Sequence, residues 1–174
     1  AIVNVGADGS ATLYCGTVDM GQGSDTAMAQ MVGEVLNMPA ESVRIVPRDT
    51  DVTPYDMGTL GSRSLFHMGH AVRLAAEDAR AKIGDLRREL GEPEGSNAPL
   101  VDLFRKKYGM QAGNIVGTGI YKPDYIPPDA NGLTINATPF WMVAGSGVEI
   151  EVDTETILRD MDTPEDYERM VGTG

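Results

Sequence analysis

Cysteine is all but missing from this chain. Cys15 stands alone among 174 residues, so the chain unaided can hold no internal disulfide, no cysteine-based zinc site and no iron–sulfur cluster. Histidine is scarce as well. His67 and His70 are the two present, spaced i, i+3 on one expected helix; they could face a common metal, but with no third ligand they read as a partly buried or surface pair. No metal site is therefore expected. No apolar run approaches the ~20 residues that a membrane-spanning helix needs, and the start lacks a signal-peptide pattern, so the expected location is cytoplasmic. Positive charge is also in short supply, with 14 Lys and Arg against 26 Asp and Glu, a net −12. That balance argues against nucleic acid and anionic membrane as partners. A phosphate site here has to rely on backbone N–H groups and a few local cations.

What is present is ordinary for a globular protein: 41% hydrophobic and 23% charged residues, in a length that suits one domain, or one and a fraction. The first residue is Ala1, with no methionine, which is expected of a processed chain or one cut from something longer. Charge is unevenly spread, at −6 over residues 1–60, +2 over 61–113 and −8 over 114–174. The positive charge gathers on the middle helices, where a solvated basic face accounts for it.

The chain begins with a hairpin pattern: Ile2, Val3 and Val5, a glycine-containing loop, then Ala11 to Val18 with Ala11, Leu13 and Cys15 alternating. Helical spacing of Met28, Met31, Val32 and Val35 predicts a helix from about Ser24 to Asn37, stopped near Pro39. Val43 and Ile45 mark a short strand over 42–46. The longest helix runs from Gly61 or Ser62 to about Leu90, with a core stripe through Leu65, Met68, Val72, Ala75, Ala76, Ala79 and Ile83. Its small alanines predict close packing on a sheet. A polar loop over 91–97 leads to a short helix from Pro99 to Tyr108, then strands over 114–121 and 140–152, with Gly145 and Gly147 marking a bulge or tight crossing. Tyr121 and Tyr125 could line a substrate path, although exposed loop tyrosines are common.

Two turn-rich stretches carry the chemistry. In Gly16-Thr17-Val18-Asp19-Met20-Gly21-Gln22-Gly23-Ser24-Asp25-Thr26 a strand passes through glycines into a helix. Gly21 and Gly23 let backbone approach a ligand, Gln22 offers a donor and an acceptor, and Ser24 or Asp25 can cap a helix whose start suits an anion. The second stretch, Asp49 to Ser64, also feeds a helix through Gly58 and Gly61-Ser62-Arg63-Ser64. Arg63 can contact phosphate in bidentate fashion or pair with Asp49, Asp51 or Asp56.

Taken together, Val18-Asp19-Met20-Gly21-Gln22-Gly23, the Asp49 to Ser64 loop and Gly69-His70-Ala71-Val72 resemble the molybdenum-cofactor-binding subunit of the xanthine dehydrogenase, aldehyde oxidase and carbon monoxide dehydrogenase group. Thr138-Pro139-Phe140-Trp141-Met142 and Val148-Glu149-Ile150-Glu151-Val152-Asp153 fit the same pattern, so the resemblance covers residues 1–156. It implies an α+β fold, a mixed sheet packed on one side by helices, like a molybdopterin-binding domain. It implies molybdopterin or its dinucleotide as cofactor, bound by Gly21, Gln22, Gly23 and Ser24 and by Gly61, Ser62, Arg63 and Ser64, with the two turns converging on one crevice. Such subunits hydroxylate aldehydes or N-heterocycles, with redox chemistry supplied by the cofactor.

The resemblance also shows what is not here. The family's glycine–phenylalanine loop precedes Ala1, and its glutamate base follows the point where this chain departs. Glu34 and Glu77 lie on helices and look solvated, so no catalytic residue is expected. The chain accordingly reads as a fragment that contributes part of a cofactor site and is inactive alone, with cofactor absent from the isolated chain. Iron–sulfur and flavin subunits, and the remaining molybdenum-subunit segments, are the implied partners. A non-catalytic cofactor carrier or structural protein, and a subunit of a split oxidoreductase, are the alternatives. Residues 157–174 are expected to form a short helical tail of different origin: Thr163-Pro164-Glu165-Asp166-Tyr167 resembles the end of molybdenum-cofactor nucleotidyltransferases, and a plain N-cap with Pro at the first helical position explains the same residues.

Overall fold

A computed structural model describes residues 1–109, 113–124 and 129–132. The strand expected over 140–152, the tail helix after Thr163, the 156/157 domain boundary and Tyr125 lie outside the described residues. Strands β1 (Ile2–Gly6) and β2 (Ala11–Tyr14) form the hairpin that the alternation predicts, with Val3 opposite Leu13. Helix α1 (Ser24–Leu36) then crosses over to β3 (Val43–Ile45), which lies parallel to β2. A parallel neighbour requires such a crossover, since a tight turn can only return the chain antiparallel. Helix α2 (Gly69–Glu89) and the short α3 (Leu100–Tyr108) precede β4 (Asn114–Thr118), which pairs antiparallel with β1. The sheet order is β3-β2-β1-β4. The architecture is thus α+β, a mixed sheet with helices packed on it.

Period-two alternation turns Val3, Val5, Ala11, Leu13 and Ile115 to one face, where they bury against Met28 and Val32 of α1, Val72, Ala75, Ala76 and Ala79 of α2, and Leu103 of α3. The α2–β4 contact is very close. A Cβ at Gly117 would sit 2.1 Å from the Ala75 carbonyl oxygen, and one at Gly119 would sit 2.1 Å from that of Ala71. Glycine on the strand and alanine on the helix let the two backbones touch, which is the close packing the alanine stripe predicts. The same helix covers the outer edge of β4. Asp78 accepts the Thr118 N–H at 2.8 Å, Lys82 donates to the Val116 carbonyl at 2.8 Å, and the two side chains pair with each other.

Three expected boundaries move, the simplest being β4, which ends at Thr118 rather than Tyr121. β2 ends at Tyr14 rather than Val18, because the chain beyond it turns away to meet the second loop instead of a neighbouring strand. The long helix does not start at Gly61 or Ser62: both have left-handed φ, 53° and 58°, which a right-handed helix cannot continue. A π-helical turn over Ser64–Met68 begins it instead, and regular α-helix takes over at Gly69. Such turns widen a helix locally and are frequent at functional sites.

Candidate functional site

The first glycine turn is built from its own residues. Gly21 and Gly23 adopt φ of 99° and 75°, and a Cβ at either would meet nothing within 4 Å, so left-handed backbone rather than crowding calls for glycine there. Asp19 organises the turn: one carboxylate oxygen accepts the Gly21 N–H at 2.8 Å and the other accepts the Asp25 N–H at 3.0 Å. These amides, that of Asp25 first, hold the Asp19 carboxyl below its ordinary pKa of 3.8. Gln22 folds back on the same turn, accepting the Met20 N–H at 2.6 Å and donating to the Val18 carbonyl at 3.0 Å and to Ser24 Oγ at 3.2 Å.

The cap of α1 differs from the sequence expectation. Neither Ser24 nor Asp25 supplies it; Gly23 is the N-cap and Asp19 reaches in from upstream. The reason is that both expected caps are otherwise engaged. Ser24 Oγ takes a hydrogen from Gln22, and both oxygens of Asp25 face Arg48, at 2.9 Å for the Nη1–Oδ2 contact.

The second loop closes on an ion pair. Arg63 Nη1 donates to both Asp56 oxygens, at 2.9 and 3.0 Å, and to the Gly58 carbonyl at 2.9 Å, while Asp56 Oδ1 accepts the Gly58 N–H at 2.7 Å. The pair is largely shielded, with 15% and 5% of the two side chains exposed. Of the partners open to Arg63 in the sequence, the loop uses Asp56. Next to it, burial first and the Arg63 charge second lower the pKa of His67 from its ordinary value. His70, one turn on, stacks on Tyr121 at 4.4 Å and donates from Nδ1 to the Phe66 carbonyl of the π-turn at 2.6 Å.

The two loops meet. Fully buried Thr17 donates through Oγ1 to Ser64 Oγ at 2.8 Å, and its Oγ1 lies 3.3 Å from Thr59 Oγ1. That Thr59 hydroxyl both accepts the Val18 N–H at 2.8 Å and donates to the Val18 carbonyl at 2.7 Å. Gly16 makes room for the contact, since a Cβ there would lie 2.5 Å from Asp56 Cβ and 2.9 Å from the Pro54 carbonyl oxygen.

Of the predicted residues, Gly21, Gln22, Gly23, Gly61 and Ser62 are exposed, Arg63 and Ser64 half-buried and Ser24 buried. A cleft of about 310 Å³ opens beside the second loop, bounded by Pro54–Met57, Arg63, His67, Ala1 and Gly119–Tyr121. It takes Arg63 from the predicted set and none of Gly21–Ser24. Large apolar side chains stand in solvent on the first loop, Met20 at 71%, and at the cleft, Tyr55 and Ile120 at 90%. Among the described residues there is no cluster of three or more potential metal ligands, and no helix is long and apolar enough to cross a membrane.

Sequence reasoning missed Asp19, Arg48, Thr17 and Thr59. Asp19 had a readable signal, an acid shortly before a glycine turn and a helix start. The others act across long separations, 42 residues for Thr17 and Thr59, and carry no local signature.

Residues 1–163 match the molybdopterin cofactor-binding domain. A probable hypoxanthine oxidase of Escherichia coli, XdhD, is 30% identical over 98% of this chain and 19% of its own length. The carbon monoxide dehydrogenase large chain of Hydrogenophaga pseudoflava is 39% identical over 57% of this chain and 12% of its own. Among solved structures, CO dehydrogenase from Oligotropha carboxidovorans superposes with a TM-score of 0.56 at 26% identity, covering 69% of this chain and 18% of that one. The chain spans about a fifth or less of the length of these relatives.

Proposed function

Because the chain belongs to the molybdopterin cofactor-binding domain family of xanthine and carbon monoxide dehydrogenases, we propose that its paired loops form one side of a molybdopterin site. In that site Gly21, Gln22, Gly23 and Ser24 and Gly61, Ser62, Arg63 and Ser64 face the cofactor, and this portion is not catalytic alone. The observation that carries the reading is the junction of the loops through Thr17, Ser64 and Thr59.

The residues fit such a group. Open space lies beyond the glycine backbones of Gly21, Gly23, Gly58 and Gly61, so a flat ligand can approach the main chain. The fit is one of orientation more than charge, because Asp19 already holds the first amides of α1 and Asp56 already holds Arg63. When bound, the cofactor supplies the redox chemistry of hydroxylating a carbon beside nitrogen or oxygen. The protein's share is placement: Asp19 and Gln22 preform the first turn, and Arg63 with Asp56 preforms the second, so little ordering remains to be done on binding. The dinucleotide form, loss of cofactor from the isolated chain and a cytoplasmic location belong to the same proposal. So do iron–sulfur and flavin subunits as partners. Exposed Met20, Tyr55 and Ile120 are apolar side chains that further segments of a molybdenum subunit would cover.

The test is to purify the full chain from a host that makes molybdopterin, alone and together with the remaining large-subunit segments of XdhD. The chain alone should give no substrate-dependent dye reduction with hypoxanthine or an aldehyde, and molybdenum should be retained only in the joint preparation. Dye reduction by the pure chain would overturn the non-catalytic part of the reading. A joint preparation whose molybdenum content is unaffected by Gly21→Val or Ser62→Val would overturn the site.

A further inference from the structure

The geometry points to Arg48 as the positioning residue of the paired loops, fixing the first turn against the second; the ligand purpose of that register rests on the reading above. Arg48 follows β3 and precedes the second loop. Its Nε donates to the Thr17 carbonyl at 2.5 Å, Nη1 donates to Asp25 Oδ2 at 2.9 Å, Nη2 donates to Asp25 Oδ1, and Nη2 lies 3.8 Å from Cys15 Sγ. These contacts join the end of the β2 segment to the first turn of α1.

Thr17 is then gripped from two sides, by Arg48 at its carbonyl and by Ser64 at its hydroxyl. An unbroken path, Asp25–Arg48–Thr17–Ser64, therefore leads from the start of α1 to the start of the π-turn. Arg48 works from behind, with 17% of its side chain exposed, whereas Gly21–Gly23 and Gly61–Ser62 face solvent. Arginine suits the position and lysine does not. The planar fork sends its donors to a carboxylate and a carbonyl at once, and a single ammonium cannot hold both geometries. A ligand that spans the two turns thus meets them at one separation fixed in advance.

Amide hydrogen exchange of the full chain, read residue by residue by NMR, tests this. Arg48→Lys keeps the charge and removes the fork. Asp25→Asn weakens the same contact from its more exposed partner, and decides the matter if the Arg48 variant does not fold. Each should speed exchange at Val18, Gly21 and Asp25 by about tenfold while Val3 and Leu13 stay within about twofold of wild type, as for local rather than global opening. The double variant should be no faster than either single one. Equal acceleration in loop and core would make Arg48 a general stabilising residue and overturn the proposal, and so would unchanged loop exchange. A titration with inorganic pyrophosphate separates this from the ligand reading: Gly21 and Ser62 amides should shift with one midpoint in wild type and with two in Arg48→Lys. Wild-type amides unmoved in both turns would sink the ligand reading, while the exchange result would still decide the role of Arg48.

Discussion

The first turn is held by backbone amides donating to a half-exposed carboxylate, Asp19, whereas the second is closed by a shielded ion pair, Asp56 with Arg63. In sequence they look alike, each a run of glycines between an extended segment and a helix. Physically they differ in what failure costs. Amides released from Asp19 can turn to water, so the first turn has a soft alternative. A carboxylate with 5% exposure that loses its arginine keeps only the Gly58 amide, and a buried charge without its counter-ion is among the larger destabilising events. A shared appearance therefore conceals one adaptable turn and one rigid one, joined at Thr17.

The largest test of that difference is Arg63→Ala. It takes the counter-ion from Asp56, and urea unfolding should show a loss of about 3–5 kcal/mol. The double variant Arg63→Ala/Asp56→Ala should recover part of it, and a single-variant loss under about 1 kcal/mol would mean that water reaches the pair freely.

Next comes Gly16→Ala, which asks whether the turns are truly pressed together. Its methyl would overlap Asp56 Cβ and the Pro54 carbonyl, so a loss of about 1–3 kcal/mol is expected, the usual size of an overpacking effect. Thermal unfolding checks it, and an unchanged midpoint would show that the second loop moves aside.

The smallest effect lies in pH. Asp19 has a folded pKa lowered from 3.8, so its contribution is full above that value and disappears as pH falls through the lower folded value. Protection of the Gly21 and Asp25 amides should fade below about pH 4, before the core amides of Val3 and Leu13 respond. Asp19→Asn should abolish this pH dependence. Loop and core amides losing protection together would contradict it.

Much of the fold was legible because periodicity reports burial. The alternation of Val3, Val5, Ala11 and Leu13 and the alanine stripe of α2 state which faces are inside, and those faces pack as read. The loops were legible as turns and as family motifs, but their internal wiring was not. Ser24 and Asp25 fit every local rule for a cap, and what displaced them was competition from Gln22 and from Arg48, the latter 23 residues away from Asp25. The π-turn was hidden for a similar reason: the apolar stripe continues through Leu65 and Met68 whichever helix type carries it, and only the left-handed Gly61 and Ser62 delay the regular helix.

The side chains that α2 lays along β4 bear on how this sheet could grow. With Asp78 on the Thr118 amide and Lys82 on the Val116 carbonyl, a strand from another molecule finds those bonding positions taken. The opposite border among the described strands, β3, is three residues long and offers too few rungs for a stable addition. Neither margin is a ready template for strand exchange or fibril seeding. Association at these margins would have to proceed through side chains and loops rather than by lengthening the sheet.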